Sequence, residues 1–192
     1  MQLKNTSQYY GLVSIVIHWL MAISIIGMFG LGIWMVDLDY YDPWYHRGLW
    51  LHQSIGMVLL FLLVFRLVWR LANPVPKIMG LWWEKLVAIW VHRGHYLLMA
   101  VLMVTGYLIT TAYGRGIDIF GWFEFPALLP ADKGRETTMG FYHMILAWGF
   151  MAYIGMHAAA ALKHHFIDKD ITLLRMLGIN QNKEKKEKHN ED

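Results

Sequence analysis

At 192 residues with 57% hydrophobic content, ten Trp, thirteen Met and a positive mean hydropathy, the chain lies outside the range of an ordinary soluble domain. It has no cysteine, which excludes disulfides, thiolate metal sites, iron–sulfur clusters and covalent attachment of haem. The formal net charge is only +3, and no nucleic-acid partner is expected.

A hydrocarbon core of roughly 30 Å needs about 20 apolar residues per helix. Four stretches meet that length, which predicts an all-α integral membrane four-helix bundle occupying residues 1–178 as one domain. The first spans about 12–36 and stops at an acidic, aromatic loop with Asp37, Asp39, Asp42 and Pro43. It is too long for a signal-peptide core and no small-residue cleavage pattern follows it, so it reads as a retained helix. The second spans about 49–71 and ends before Asn73-Pro74-Val75-Pro76, where proline cannot continue a helix. The third spans about 86–112, followed by a long loop, 113–138, rich in Gly, Pro and charges. The fourth spans about 139–166. The highly charged tail, 179–192, has no apolar periodicity and is expected to be disordered.

Four spans put both termini on one side. That side, with the loop joining the second and third helices, holds thirteen Lys and Arg against four in the other two loops. The positive-inside rule then places both termini on the cytoplasmic side and the other two loops outside.

Most of the ten histidines fall inside these spans, among them His18, His52, His92, His95, His143, His157 and His164. Polar groups in hydrocarbon are costly and usually functional. His143 and His157 are fourteen residues apart, which returns to nearly the same helix face about 21 Å further along. That suits two stacked sites. Two neutral imidazoles per iron make a six-coordinate electron-transfer haem. With the N-terminus inside, His18 and His157 share the inner depth, and His52 and His143 share the outer depth. Two haem b groups are therefore expected, one per pair.

Small residues fit this arrangement. Gly32, fourteen residues after His18, offers a bare backbone at the outer depth, Gly56 lies one turn from His52, and Ala158 to Ala161 follow His157; ordinary small-residue helix packing explains each equally well. Arg66, fourteen residues after His52, reaches the inner level, to pair a propionate or to snorkel to the headgroups. His95 and His164, with His92 and Lys163 beside them, form a cytoplasmic-side group suited to the carbonyl oxygens of a quinone and to the proton that accompanies each electron. His46 and His189 have no assigned role.

The IHWL segment at His18, LHQSIG at His52, VHRGH at His92 to His95, and GMHAAAALKHHFIDKDITLLRML around His157 resemble the bacterial cytochrome b561 family over roughly residues 10–178. The resemblance is closest to its superoxide oxidase branch. It implies a four-helix di-haem b protein, a quinone-linked oxidoreductase passing electrons from superoxide outside to ubiquinone inside. It also implies His18 with His157 and His52 with His143 as axial ligands, and His95 with His164 at the quinone.

The outer loops carry seven acids against four basic residues, a charge that suits a basic periplasmic redox protein better than an anion. The aromatic segments DPWYHRGLW and IDIFGWFEFPALL give such a protein a surface, or form an interfacial aromatic belt in contact with lipid. Two other readings remain: a haem-bearing anchor subunit for a larger enzyme, and a transition-metal transporter using the same imidazoles.

Overall fold

The structure, a computed structural model, describes residues 2–179. The charged tail, apart from Ile179, and its His189 lie outside the described residues. Four helices are long and apolar enough to cross a membrane: α1 (Leu12–Val36), α2 (Tyr45–Ala72), α3 (Trp82–Thr110) and α4 (Lys133–Phe166). A short helix, α5 (Thr172–Met176), follows. Only 6 to 22% of each span's most apolar window is buried within the chain. The outward apolar surface therefore matches lipid rather than water, and the all-α membrane class expected from the sequence is the one observed.

Three helices begin earlier than their apolar runs, each where a side-chain oxygen takes up free backbone N–H groups. Asp42 Oδ1 accepts from the N–H of Trp44 at 2.7 Å, so α2 starts at Tyr45 rather than Leu49. Asp132 Oδ1 accepts from the N–H of Gly134 at 3.0 Å, and α4 gains six residues ahead of Met139. Glu84 Oε2 accepts from the N–H of Leu81 at 2.9 Å, moving the start of α3 to Trp82.

The long loop contains an element that hydropathy did not predict, a hairpin of β1 (Ile117–Ile119) and β2 (Phe123–Phe125). Its turn places Phe120 at φ 53° and Gly121 at φ 71°, the two positive values that a tight hairpin turn requires. Phenylalanine is strained there. Local hydrogen bonds hold it: the N–H of Phe120 donates to Ser54 Oγ at 3.2 Å, and Ser54 Oγ donates to the carbonyl of Asp118 at 3.2 Å. Trp50 Nε1 donates to Asp118 Oδ2 at 2.7 Å. Ile117 and Ile119 bury fully against Met57, with Leu60, Tyr107 and Phe125 around them.

Two compact units emerge, and each takes pieces of all four long helices. One combines Met21–Phe65 and Arg93–Ile154 and includes the hairpin. The other combines the described residues up to Leu20, Arg66–His92, and those from Gly155 onward. In this second unit the N-terminal arm is tied down by side chains. Asn5 Nδ2 donates to the carbonyl of Pro74 at 3.1 Å, Ser14 Oγ donates to Asn5 Oδ1 at 2.8 Å, and Trp69 Nε1 donates to Ser14 Oγ at 3.1 Å. Trp19 Nε1 donates to the carbonyl of Met176 at 2.9 Å and anchors α5.

Candidate functional site

In the unit that holds the hairpin, His52 of α2 and His143 of α4 face each other across an apolar cavity. It encloses about 810 Å³ of atom-free space, part of it open to the surroundings. Met28, Phe29, Met57, Met99 and Phe150 supply apolar wall, and both imidazoles line it. The ring centroids are 6.2 Å apart and the planes meet at 74°. Nδ1 of His143 lies 3.0 Å from the carbonyl oxygen of Leu102. Nδ1 of His52 is buried and finds no hydrogen-bond partner among the described residues. An unsatisfied buried polar group is uncommon enough to call for a role beyond packing.

Both small residues expected near His52 are found beside it or its cavity. A Cβ on Gly32 would stand 3.4 Å from Cε1 of His52, in van der Waals contact, so Gly32 lies against the imidazole itself. Gly56 lines the cavity, with Met28 Cε 3.7 Å from where a Cβ would sit.

In the other unit, His18 of α1 and His157 of α4 have ring centroids 6.4 Å apart and planes at 62°. Arg66 of α2 reaches this pair, with Nη2 3.1 Å from His18 Nδ1. His92, grouped by sequence with the quinone histidines, is placed beside His157 instead, 5.6 Å between centroids at 71°. Helix spacing relates residues on one helix face but not rings on two helices, so that contact had no sequence signal.

An imidazole nitrogen binds a metal at roughly 2 Å and lies about 1 Å from its ring centre, which sets the centroids of an axial pair about 6 Å apart. Both pairs have that separation. The His52–His143 pair, with nitrogen ligands and apolar walls, fits a haem chemically.

The quinone candidates fall in different units. His95 packs on Tyr153 at 4.6 Å and on Phe150 at 5.8 Å between centroids. His164 has Nδ1 2.8 Å from Asp168 Oδ2 and 3.4 Å from Asp170 Oδ2. Next to it Lys163 Nζ bridges Glu84 Oε1 and Asp168 Oδ2, 2.8 Å from each. Glu84, His164 and Asp168 offer ligand atoms within 4.8 Å of one another, but the Lys163 ammonium already bridges both carboxylates. That hydrogen bond from Lys163 also holds the Asp168 carboxyl below its ordinary value of 3.8.

Known proteins bear on this geometry. The profile of the prokaryotic cytochrome b561 family matches residues 9–178. The chain is 48% identical over 181 residues to cytochrome b561 homolog 2 of Escherichia coli (strain K12), covering 93% of this chain and 96% of that protein. It is 34% identical over 176 residues to the probable superoxide oxidase CybB of Yersinia pestis, covering 88% and 95%. A match over nearly the whole described chain, joined to four membrane-length helices and paired imidazoles, leads to one conclusion: this chain belongs to the prokaryotic cytochrome b561 family, as a multi-pass, haem-binding membrane electron-transfer protein.

Proposed function

We propose that the chain is a di-haem b cytochrome that carries electrons across the bacterial inner membrane between a periplasmic donor or acceptor and ubiquinone. The observation that carries this reading is the pair of imidazole pairs, 6.2 and 6.4 Å between centroids. His52 with His143 would hold one haem, and His18 with His157 the other. Each haem would supply a one-electron couple. The chain's own residues supply the rest. The apolar wall around His52 and His143 excludes water, and Arg66 offers a guanidinium to a propionate.

His164, with Nδ1 2.8 Å from Asp168 Oδ2, would carry the proton that accompanies each electron. By the resemblance noted above, His95 and His164 would each be a quinone contact. Two superoxide anions leave as dioxygen after giving up two electrons, and quinone takes those electrons with two protons to become quinol. Superoxide enters this reading from the name of the Yersinia relative and from the resemblance noted above.

Stopped-flow reduction of the purified protein by superoxide, and separately by ubiquinol, tests both ends. Rapid reduction of haem by each is expected. Reduction by neither would overturn the reading.

A second reading keeps the haems but replaces superoxide with a basic periplasmic protein, the chain then serving as its haem-bearing anchor. The acidic loops favour it, with seven acids against four basic residues. Reduction by ubiquinol but not by superoxide, with salt-sensitive retention on a basic redox protein, would select it. Cytochrome family membership sets aside metal transport.

A further inference from the structure

Helix α3 contributes no histidine to the His52–His143 pair, yet one turn of it closes around the His143 ring. Three groups take part. The backbone carbonyl of Leu102 lies 3.0 Å from His143 Nδ1. Thr105 Oγ1 lies 3.0 Å from the same nitrogen, and its hydroxyl donates to the Leu102 carbonyl at 2.8 Å. Gly106 stands against the ring edge, where an added Cβ would come within 3.2 Å of Cε1.

The proton positions follow from what each group is able to do. A backbone carbonyl only accepts, so the contact with Leu102 requires the ring proton on Nδ1. The Thr105 hydroxyl spends its own proton on that carbonyl, which leaves its oxygen free to accept from Nδ1 as well. Nε2 then keeps its lone pair. This is the tautomer an axial ligand needs, and a hydrogen bond from the distal ring nitrogen is the usual way a protein sets it. A threonine inside an apolar helix commonly returns its hydroxyl to its own backbone and does nothing else. Here that bond is shared with a ring from another helix, and Thr105 is only 7% exposed.

We infer that Thr105 and Gly106 are positioning residues which preset the direction and tautomer of His143 before haem binds. The hydroxyl fixes the nitrogen edge and the glycine admits the carbon edge. The inference rests on the reading of His52 and His143 as one axial pair.

The test uses the full chain in detergent or lipid, with haem content per polypeptide and a spectroelectrochemical titration as readouts. Thr105→Val removes one acceptor from Nδ1–H and makes the imidazole a weaker donor to iron. The midpoint potential of the His52–His143 haem should rise and its retention should weaken by about tenfold or more. Thr105→Ser, which keeps the hydroxyl, should restore both. Gly106→Ala pushes on Cε1 and should lose that haem selectively, with the His18–His157 haem unmoved in all three variants. The inference is overturned if Thr105→Val leaves both potentials and both occupancies unchanged, if Thr105→Ser behaves like Thr105→Val, or if the two haems change equally. A parallel His143→Ala variant separates this from the reading beneath it. If it removes no haem, the pairing falls; if it removes one while Thr105→Val changes nothing, the pairing stands and the cradle falls.

Discussion

The two imidazole pairs are nearly equal in spacing, 6.2 and 6.4 Å, but they are held in opposite ways. His143 meets a backbone carbonyl, which can only accept, so its proton is on Nδ1. His18 meets the guanidinium of Arg66, which can only donate, so its Nδ1 accepts and its proton is on Nε2. On the proposed reading His143 would offer Nε2 to iron as it stands, and His18 would do so once Arg66 turns to a propionate. Surroundings differ in the same sense. Apolar side chains enclose the first pair, whereas a permanent cation and a third imidazole, His92, sit at the second. Identical ligands at one separation therefore need not have the same potential. A hydrogen bond that makes His143 more basic favours ferric iron, and a guanidinium beside His18 favours the ferrous state. On the proposed reading, a haem held by His18 and His157 would have the higher potential of the two.

The largest expected effect breaks one pair and leaves the other. His52→Ala or His143→Ala should remove one haem completely while the His18–His157 haem keeps its spectrum, and His18→Ala or His157→Ala should do the reverse. Pyridine haemochrome assay and low-temperature difference spectra read this directly. Next in size is the Arg66 contrast: Arg66→Leu removes the cation from one pair only. It should lower the potential of the His18–His157 haem by on the order of tens of millivolts, through a loss of Coulombic stabilisation in a partly screened site, and leave the other in place. A shift of both haems together would erase the distinction drawn between them.

Replacing His95 or His164 by Ala should leave both spectra and potentials intact and slow reduction by ubiquinol. Normal quinol kinetics in both variants would remove these residues from the quinone site. The smallest effect concerns Asp168, whose carboxyl is kept below its ordinary value by the hydrogen bond from Lys163. A lowered folded-state value means the tie stabilises the fold above about the ordinary carboxyl range and is lost as pH falls through the lowered one. Thermal unfolding followed from pH 6 down to about pH 3 should converge for wild type and Asp168→Asn at the acid end, with the His143 spectrum unaffected until unfolding.

Much of this contrast was not legible in the sequence. Four apolar runs of membrane length and a fourteen-residue interval between His143 and His157 were readable from helical period alone, because both are properties of a single helix. The helix starts were not, since Asp42, Asp132 and Glu84 extend helices through polar residues that hydropathy assigns to loops. The hairpin at Ile117–Phe125 is too short for a periodicity signal, and its Phe120-Gly121 turn lacks the Asn or Asp that usually marks one. The Thr105-Gly106 cradle and the Arg66–His18 bond join different helices, and such contacts leave no mark on either segment alone. A Thr-Gly step within an apolar helix was the one hint available. Gly32 carries a related lesson: its spacing from His18 was readable, but its place against His52 depends on a ring from another helix.

The central claim is that two histidine pairs each hold one haem. Haem stoichiometry of purified wild type and His143→Ala, measured per polypeptide in the same preparation, tests it most directly. The account expects two haems falling to one, with the survivor unchanged in spectrum and potential. One haem in the wild type, or loss of both haems from a His143→Ala variant that remains folded, would contradict it.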